Sequence, residues 1–387
     1  MTHSLWKNRL DSLTAHHLVR KMRVVDGPVG PVVKTPEGEK LGFCSNDYLG
    51  LANDPVLKKT MADGALKWGA GAGASRLVSG NTSAHEQLQK ELADYMETED
   101  AVVFPSGYQA NVGALTALTE KGDVILSDEL VHASLIDGCR LSDAAVKIYR
   151  HRDTEHLSQL LKEETTAAVK LIVTDAVFSM DGDLAPLDEI ARIAGQHQAL
   201  VYVDEAHSLG VMGEQGRGLA SELGLSDHIA VRIGTFGKAF GVCGACVACS
   251  RVAGALIRSR ARSLLYTTAS PAHLAQAISA SIDLVKNGDA RRKKLHDNIA
   301  LFKKLIRERD LPLVESDTAI QPVLVGKADR VMAISEALWE QGLFVQGIRP
   351  PTVPEGTSRL RVTLTAAHEP DHITKLAVAL ATALNGK

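Results

Sequence analysis

Lys238 stands in Thr235-Phe236-Gly237-Lys238-Ala239-Phe240-Gly241, downstream of an acidic segment, Asp204-Glu205-Ala206-His207-Ser208. That segment follows the apolar run Ala199–Val203, so Asp204 reads as the mouth of a buried strand. Open α/β sheets bind ligands there, outside the carboxyl ends of their strands. A lysine flanked by glycines is open to a ligand. An amine that can form a Schiff base with an aldehyde, set against a carboxylate that keeps a pyridine nitrogen protonated, is the pair that pyridoxal 5'-phosphate requires. The bland alternative for Asp204 is a strand-end carboxylate satisfied by local amides.

Other strand ends carry groups suited to the same ligand. Ser106-Gly107-Tyr108 lies where the strand Val102–Phe104 turns into a helix. Exposed N–H groups and the helix dipole make such a place a phosphate site, although most turns of this kind are only turns. The hydroxyl of Thr235 could reach the same phosphate or serve the turn alone. His132, in Leu130-Val-His-Ala-Ser134, could stack its ring on a pyridine. Ser179 and His207 could each touch a phenolic oxygen. Each is ambiguous alone; four successive strand ends converging on one aromatic phosphate are not. In Arg359-Leu-Arg-Val-Thr-Leu364 a period of two places Arg359 and Arg361 on one face, where a guanidinium could clamp a carboxylate or form an ion pair.

The elements that position these residues form an alternating strand–helix pattern, as in a mostly parallel sheet. Strands are expected at 123–126, 171–174, 199–203 and 230–234. Ser83-Ala-His-Glu86 has the form of a capping box ahead of a helix with Leu88, Leu92, Tyr95 and Met96 on one face. A helix over 272–286 should stop at Asn287-Gly288, and a long helix, a strand at 319–325 and two more helices suggest a smaller α/β unit. The expected division is a segment 1–45 beside the small domain, a large ligand-binding domain over 46–288, and a small domain over 289–387.

With 387 residues the chain exceeds one ordinary core. Its 45% hydrophobic and 23% charged content is that of a soluble globular protein, and a net charge of −3 offers no field for nucleic acid or anionic lipid. No apolar run approaches the roughly 18 residues of a membrane span. The polar start and five cysteines point to the cytoplasm. No bound metal is expected. Cys243, Cys246 and Cys249 could suggest an iron–sulfur site, but on a strand spanning 242–249 successive members would face opposite ways. Asp204–His207 could suggest a helicase box, yet Arg232 and Ala239 break the phosphate loop such enzymes need. Arg291–Lys294 reads as a solvated helix face.

Assembled, these residues make the chain resemble the α-oxoamine synthases over essentially its whole length. The likeness rests on Ser45-Asn-Asp-Tyr-Leu-Gly-Leu51, Arg76–Gly80, Phe178–Asp183, Gly213–Gly218 and the Lys238 loop. It implies an aspartate-aminotransferase-like, fold-type I pyridoxal-phosphate transferase, with a large mostly parallel sheet domain and a smaller C-terminal α/β domain. Ile348–Pro354 with Arg359–His368 resembles the branch that joins L-alanine to a pimeloyl thioester, on coenzyme A or an acyl carrier protein; a glycine-using synthase is the alternative. The resemblance implies that Lys238 binds the cofactor aldehyde and moves the proton, and that Gly107, Tyr108 and Thr235 hold the phosphate. Thr268 of a neighbouring subunit would assist in a homodimer. It further implies His132 over the ring, Asp204 on its nitrogen, and Ser179 and His207 at the phenolic oxygen. Arg361 and Asn46 would take the amino-acid carboxylate, and Arg20 and Thr352 would line the acyl side.

Overall fold

The computed structural model describes residues 2–15, 18–20 and 22–385. After an N-terminal helix, Thr2–Ala15, an antiparallel pair forms from β1 (Val32–Thr35) and β2 (Gly38–Gly42). Seven strands build the central sheet: β3 (Asp100–Phe104), β4 (Val124–Asp128), β5 (Ala145–Tyr149), β6 (Lys170–Asp175), β7 (Leu200–Asp204), β8 (Val231–Thr235) and β9 (Ala245–Cys249). Their order is β3-β9-β8-β7-β6-β4-β5. All neighbours are parallel except β9, which runs against both β3 and β8.

These strands are apolar on both faces because helices cover both sides. On β7, Tyr202 enters one core cluster while Val201 and Val203 enter another. Parallel strands need long crossovers, and helices at Ala133–Leu141, Thr154–Glu163 and Leu187–His197 supply them. Every parallel strand therefore ends on the same edge, where β4, β6, β7 and β8 deliver the loops that carry His132, Ser179, His207 and Lys238.

The last part of the chain forms β10 (Ile320–Gly326), β11 (Leu343–Phe344), β12 (Gln346–Ile348) and β13 (Ser358–Thr363). β13 lies antiparallel between β10 and β12, and β11 pairs in parallel with β2. The early segment is tied down there: Lys40 Nζ donates to the Trp339 carbonyl at 3.0 Å, and the Arg23 guanidinium lies 3.8 Å from the Trp339 ring centroid.

Beneath the ligand edge, Glu205 and Arg232 form an ion pair at 2.6 Å with both side chains 0% exposed. The Ala220 amide donates to the same carboxylate, and Arg232 also donates to the carbonyls of Met96 and Arg217.

Three local expectations are corrected. The cap of the helix Ser83–Tyr95 sits one residue earlier, with Thr82 as N-cap and His85 reaching back to it, because Glu86 is drawn to Asn81 and Arg76. Arg291–Lys294 is solvated except at Arg292, which turns inward onto the Val285 carbonyl, while the half-exposed Arg291 pairs with Asp54. The strand expected at 242–249 begins only at Ala245, leaving Cys243 exposed in a loop. Cys246 and Cys249 do enter opposite cores, so they cannot share a cluster.

Candidate active site

The strand ends enclose a cavity of about 330 Å³ lined by Asn46, Gly107, Tyr108, Asn111, His132, Asp175, Asp204, His207, Thr235 and Lys238, among others. At one end the helix Gly107–Leu118 starts, with Ser106 as N-cap accepting from the Gln109 amide. Its first-turn N–H groups have no partner within the helix and carry its positive dipole end. A Cβ at Gly107 would meet the Thr235 methyl at 2.8 Å, so only glycine lets this turn close on the Thr235 loop. The cradle suits a phosphate.

Across the cavity, Asp204 is buried, with one oxygen accepting from Asn111 Nδ2 at 2.7 Å and the other from the Ala206 amide at 2.9 Å. Asn111 is itself fixed, since its Oδ1 accepts from the Tyr202 hydroxyl at 2.8 Å. Asp175, the sheet neighbour of Asp204, is also buried, and it accepts the His132 main-chain N–H at 2.8 Å. Burial, then the charge of Asp204, pushes the Asp175 carboxyl far above the usual range. Asp175 is thereby pushed toward its neutral form, and Asp204 is the carboxylate that a protonated pyridine nitrogen would meet at this end of the cavity.

His132 caps the helix Ala133–Leu141, its Nδ1 accepting from the Ser134 amide and lying 2.7 Å from the Ser134 hydroxyl. That assigns the proton to Nε2. Burial keeps the ring neutral by lowering its pKa, against the opposing charge of Asp204. A neutral flat ring can lie on a pyridine.

Lys238 Nζ sits 2.9 Å from His207 Nε2, and His207 Nδ1 lies 2.5 Å from the Tyr48 hydroxyl. Burial, then the Lys238 charge, drives the His207 pKa well down, so the ring accepts from the amine. Lys238 is lowered to about 8, chiefly by burial, with Asp204 and Asp175 opposing and Arg361 assisting. About a tenth is therefore free amine at pH 7, far more than for an ordinary lysine, as a nucleophile or base requires.

Arg361 lies on β13 across from the sheet edge. Its Nε donates to the Ser179 carbonyl at 2.6 Å, and its Nη1 to Asn46 Oδ1 at 3.2 Å and Thr363 Oγ1 at 2.9 Å. Arg359, on the same face, pairs with Asp181.

The expected residues Ser179, Thr268, Arg20 and Thr352 do not line this cavity. Ser179 holds Arg361 through its carbonyl and is absent from the cavity lining, because the 176–185 hairpin turns toward β13. Thr268 is exposed and does not line the cavity of its own chain. Arg20 Nη2 donates to Thr352 Oγ1 at 3.3 Å. Thr352 lines a second cavity of about 540 Å³ between residues 129–131, Phe178–Asp181 and 350–355. Asn111, Ser134, Tyr48 and Asp175 were not assigned from sequence as supports. The signal for Asn111 is its place four residues after Gly107, among the small and apolar residues of the buried helix face that meets the sheet.

The pyridoxal phosphate expected from sequence fits this donor set: a helix-start cradle at one end, a charged buried acid opposite, and an amine of lowered pKa between polar walls.

The family model for aminotransferase class I and II matches residues 38–380. The 8-amino-7-oxononanoate synthase of Trichlorobacter lovleyi is 46% identical over 97% of this chain and 96% of its own length. A serine palmitoyltransferase from S. paucimobilis, solved with bound PLP–myriocin, superposes with a TM-score of 0.92 at 29% identity, covering 98% of this chain and 96% of that one. The 8-amino-7-oxononanoate synthase of Francisella tularensis gives a TM-score of 0.78 at 28% identity, covering 89% and 98%.

Proposed function

Because this chain belongs to the class I and II aminotransferase family, on the branch of proteins named 8-amino-7-oxononanoate synthase, we propose that it is a pyridoxal-phosphate-dependent acyltransferase. It joins L-alanine to a pimeloyl thioester, with loss of CO2 and release of the thiol, to make 8-amino-7-oxononanoate for biotin synthesis. The observation that carries this reading is the meeting of Lys238, His207 and Asp204 in one cavity, with Arg361 at its side.

When bound, the cofactor supplies a protonated ring that accepts the electron pair left by the alanine Cα–H bond. Asp204 keeps that ring charged, and His132 covers its face. The Gly107 and Tyr108 amides and the Thr235 hydroxyl hold the phosphate. Lys238 would hold the cofactor's aldehyde, and its amine, with a pKa lowered to about 8, is the base placed to take the alanine α-proton and return it. His207 orients the amine and contacts the phenolic oxygen, while the Ser179 carbonyl holds Arg361 in place. Arg361 and Asn46 take the alanine carboxylate by charge-assisted hydrogen bonds. Arg20 and Thr352 flank the second cavity, which receives the acyl chain.

The assembly is a cytoplasmic homodimer in which Thr268 reaches the neighbour's phosphate. Five free cysteines suit a reducing compartment. The chain divides into an N-terminal segment to 45, a large domain over 46–288 and a small domain over 289–387, and the acyl donor arrives on coenzyme A or a carrier protein. The test is thiol release with alanine or glycine against pimeloyl- or acetyl-CoA. Alanine with pimeloyl-CoA is expected to win, and greater efficiency with glycine and acetyl-CoA overturns the assignment.

A further inference from the structure

The second cavity has two walls that belong to different loops. One, residues 129–131, leaves the end of β4 directly after Asp128; the other, Phe178–Asp181, belongs to the hairpin that follows β6. Between them stands His151, which lines neither cavity. Its Nδ1 is 2.9 Å from Asp128 Oδ1 and its Nε2 is 2.9 Å from Asp183 Oδ2. Its ring also meets the Phe178 ring edge-on at 4.4 Å between centroids.

Both anchors are tight. Asp128 accepts the Leu130 and Arg152 amides, each at 2.8 Å, so it fixes the start of the first wall. Asp183 closes the hairpin: the Phe178 amide donates to its carbonyl at 3.0 Å and the Gly182 amide to the Phe178 carbonyl at 2.8 Å. Gly182 has φ +71°, and a Cβ there would meet the Ile320 carbonyl at 2.5 Å, so the turn is locked against the C-terminal sheet. The same hairpin offers the Ser179 carbonyl to Arg361 and the Asp181 carboxylate to Arg359.

We propose that His151 is a positioning residue that holds the two walls of the acyl cavity together, so that acyl-thioester binding depends on its bridge from Asp128 to Asp183. The inference rests on the reading of that cavity as the acyl site. Asp183 shows why the bridge matters: its Oδ1 is buried without a partner, and Oδ2 relies on His151 and on Arg152 Nη1 at 3.2 Å. Losing His151 leaves a poorly compensated carboxylate that must move toward water, opening the wall. Charge supports the geometry. Burial opposes protonation of His151, but its hydrogen bonds to the Asp128 and Asp183 carboxylates outweigh it and raise the pKa to about 9. Asp183 is lowered: burial works against this, and the His151 hydrogen bond and charge prevail. A raised histidine pKa means that the stability the bridge contributes is full below the ordinary histidine value, and the bridge itself is lost as pH rises through about 9.

The test uses holoenzyme, wild type and His151→Gln, with pimeloyl-CoA and alanine. The KM for pimeloyl-CoA is expected to rise on the order of tenfold in the variant. The alanine dissociation constant, read from the cofactor spectrum, and cofactor retention should stay unchanged. In the wild type the acyl KM should climb through the His151 titration near 9, a climb absent from the variant. An unchanged acyl KM in the variant overturns the proposal, as does equal loss of acyl, alanine and cofactor binding. Should the variant not fold, a wild-type acyl KM that is flat through that titration overturns it alone. A wild type that ignores pimeloyl-CoA altogether instead removes the reading of the cavity on which this rests.

Discussion

The amine of Lys238 and the imidazole of His207 are hydrogen-bonded at 2.9 Å, and the far side of that imidazole meets the Tyr48 hydroxyl. Since the amine donates, the ring carries its own proton on Nδ1 and gives it to Tyr48. Tyr48 in turn donates to Asn46, the residue that also receives Arg361. A line of hydrogen bonds thus joins the Lys238 amine to the Arg361 guanidinium. Lys238→Ala should bind no cofactor covalently and show no turnover above background, read as loss of the cofactor absorbance band.

The amine should also set a pH limit on cofactor capture. Only the neutral amine attacks an aldehyde, and Lys238 titrates at about 8. The rate of pyridoxal-phosphate uptake by the apoprotein should fall about tenfold per pH unit below that value and level off above it. Stopped-flow absorbance measures it.

Asn111→Ala should weaken cofactor binding and lower stability together. It strips a hydrogen bond from the buried Asp204 carboxylate and leaves the Tyr202 hydroxyl without its acceptor. Each unsatisfied buried group costs about 1–3 kcal/mol. A thermal melt of the apoprotein and a cofactor titration separate the two effects.

Arg361→Lys should raise the KM for alanine by about 10- to 100-fold, the equivalent of losing a charge-assisted hydrogen bond. Lysine keeps the charge but not the planar fork. It also cannot span the Ser179 carbonyl and Asn46 at once. The acyl-CoA KM should move much less.

Arg232→Met should destabilise the fold by about 3–5 kcal/mol, because Glu205 keeps a buried charge without a cation. Arg232→Met combined with Glu205→Leu should cost less than the single change. Denaturant unfolding of both variants gives the comparison.

Much of the cofactor pocket was legible in the sequence because its residues terminate apolar strands, and parallel strands bring their ends to one edge. Lys238, Asp204, His207, His132, Gly107 and Thr235 all line one cavity for that reason. What was not legible depends on side-chain direction within helices and loops. Asn111 looks like an ordinary polar residue in an apolar helix until the sheet beneath it is known. Ser179 acts on Arg361 through its main chain, which residue type cannot reveal. The capping box slipped by one residue because His85, no usual partner in such a box, took the place expected for Glu86. Arg292 sits in a run of four cations, and only the helix's orientation shows that it turns inward.

Among the described residues, none lines both the cofactor cavity and the second cavity. The first is walled mainly by strand ends and the starts of helices, the second by surface loops including 350–355. Val131 of the second cavity directly precedes His132 of the first, whereas the 350–355 loop is remote in sequence from every residue lining the cofactor cavity. Loop grafts at 350–355 offer a route to new ketone products that leaves the B6 chemistry intact.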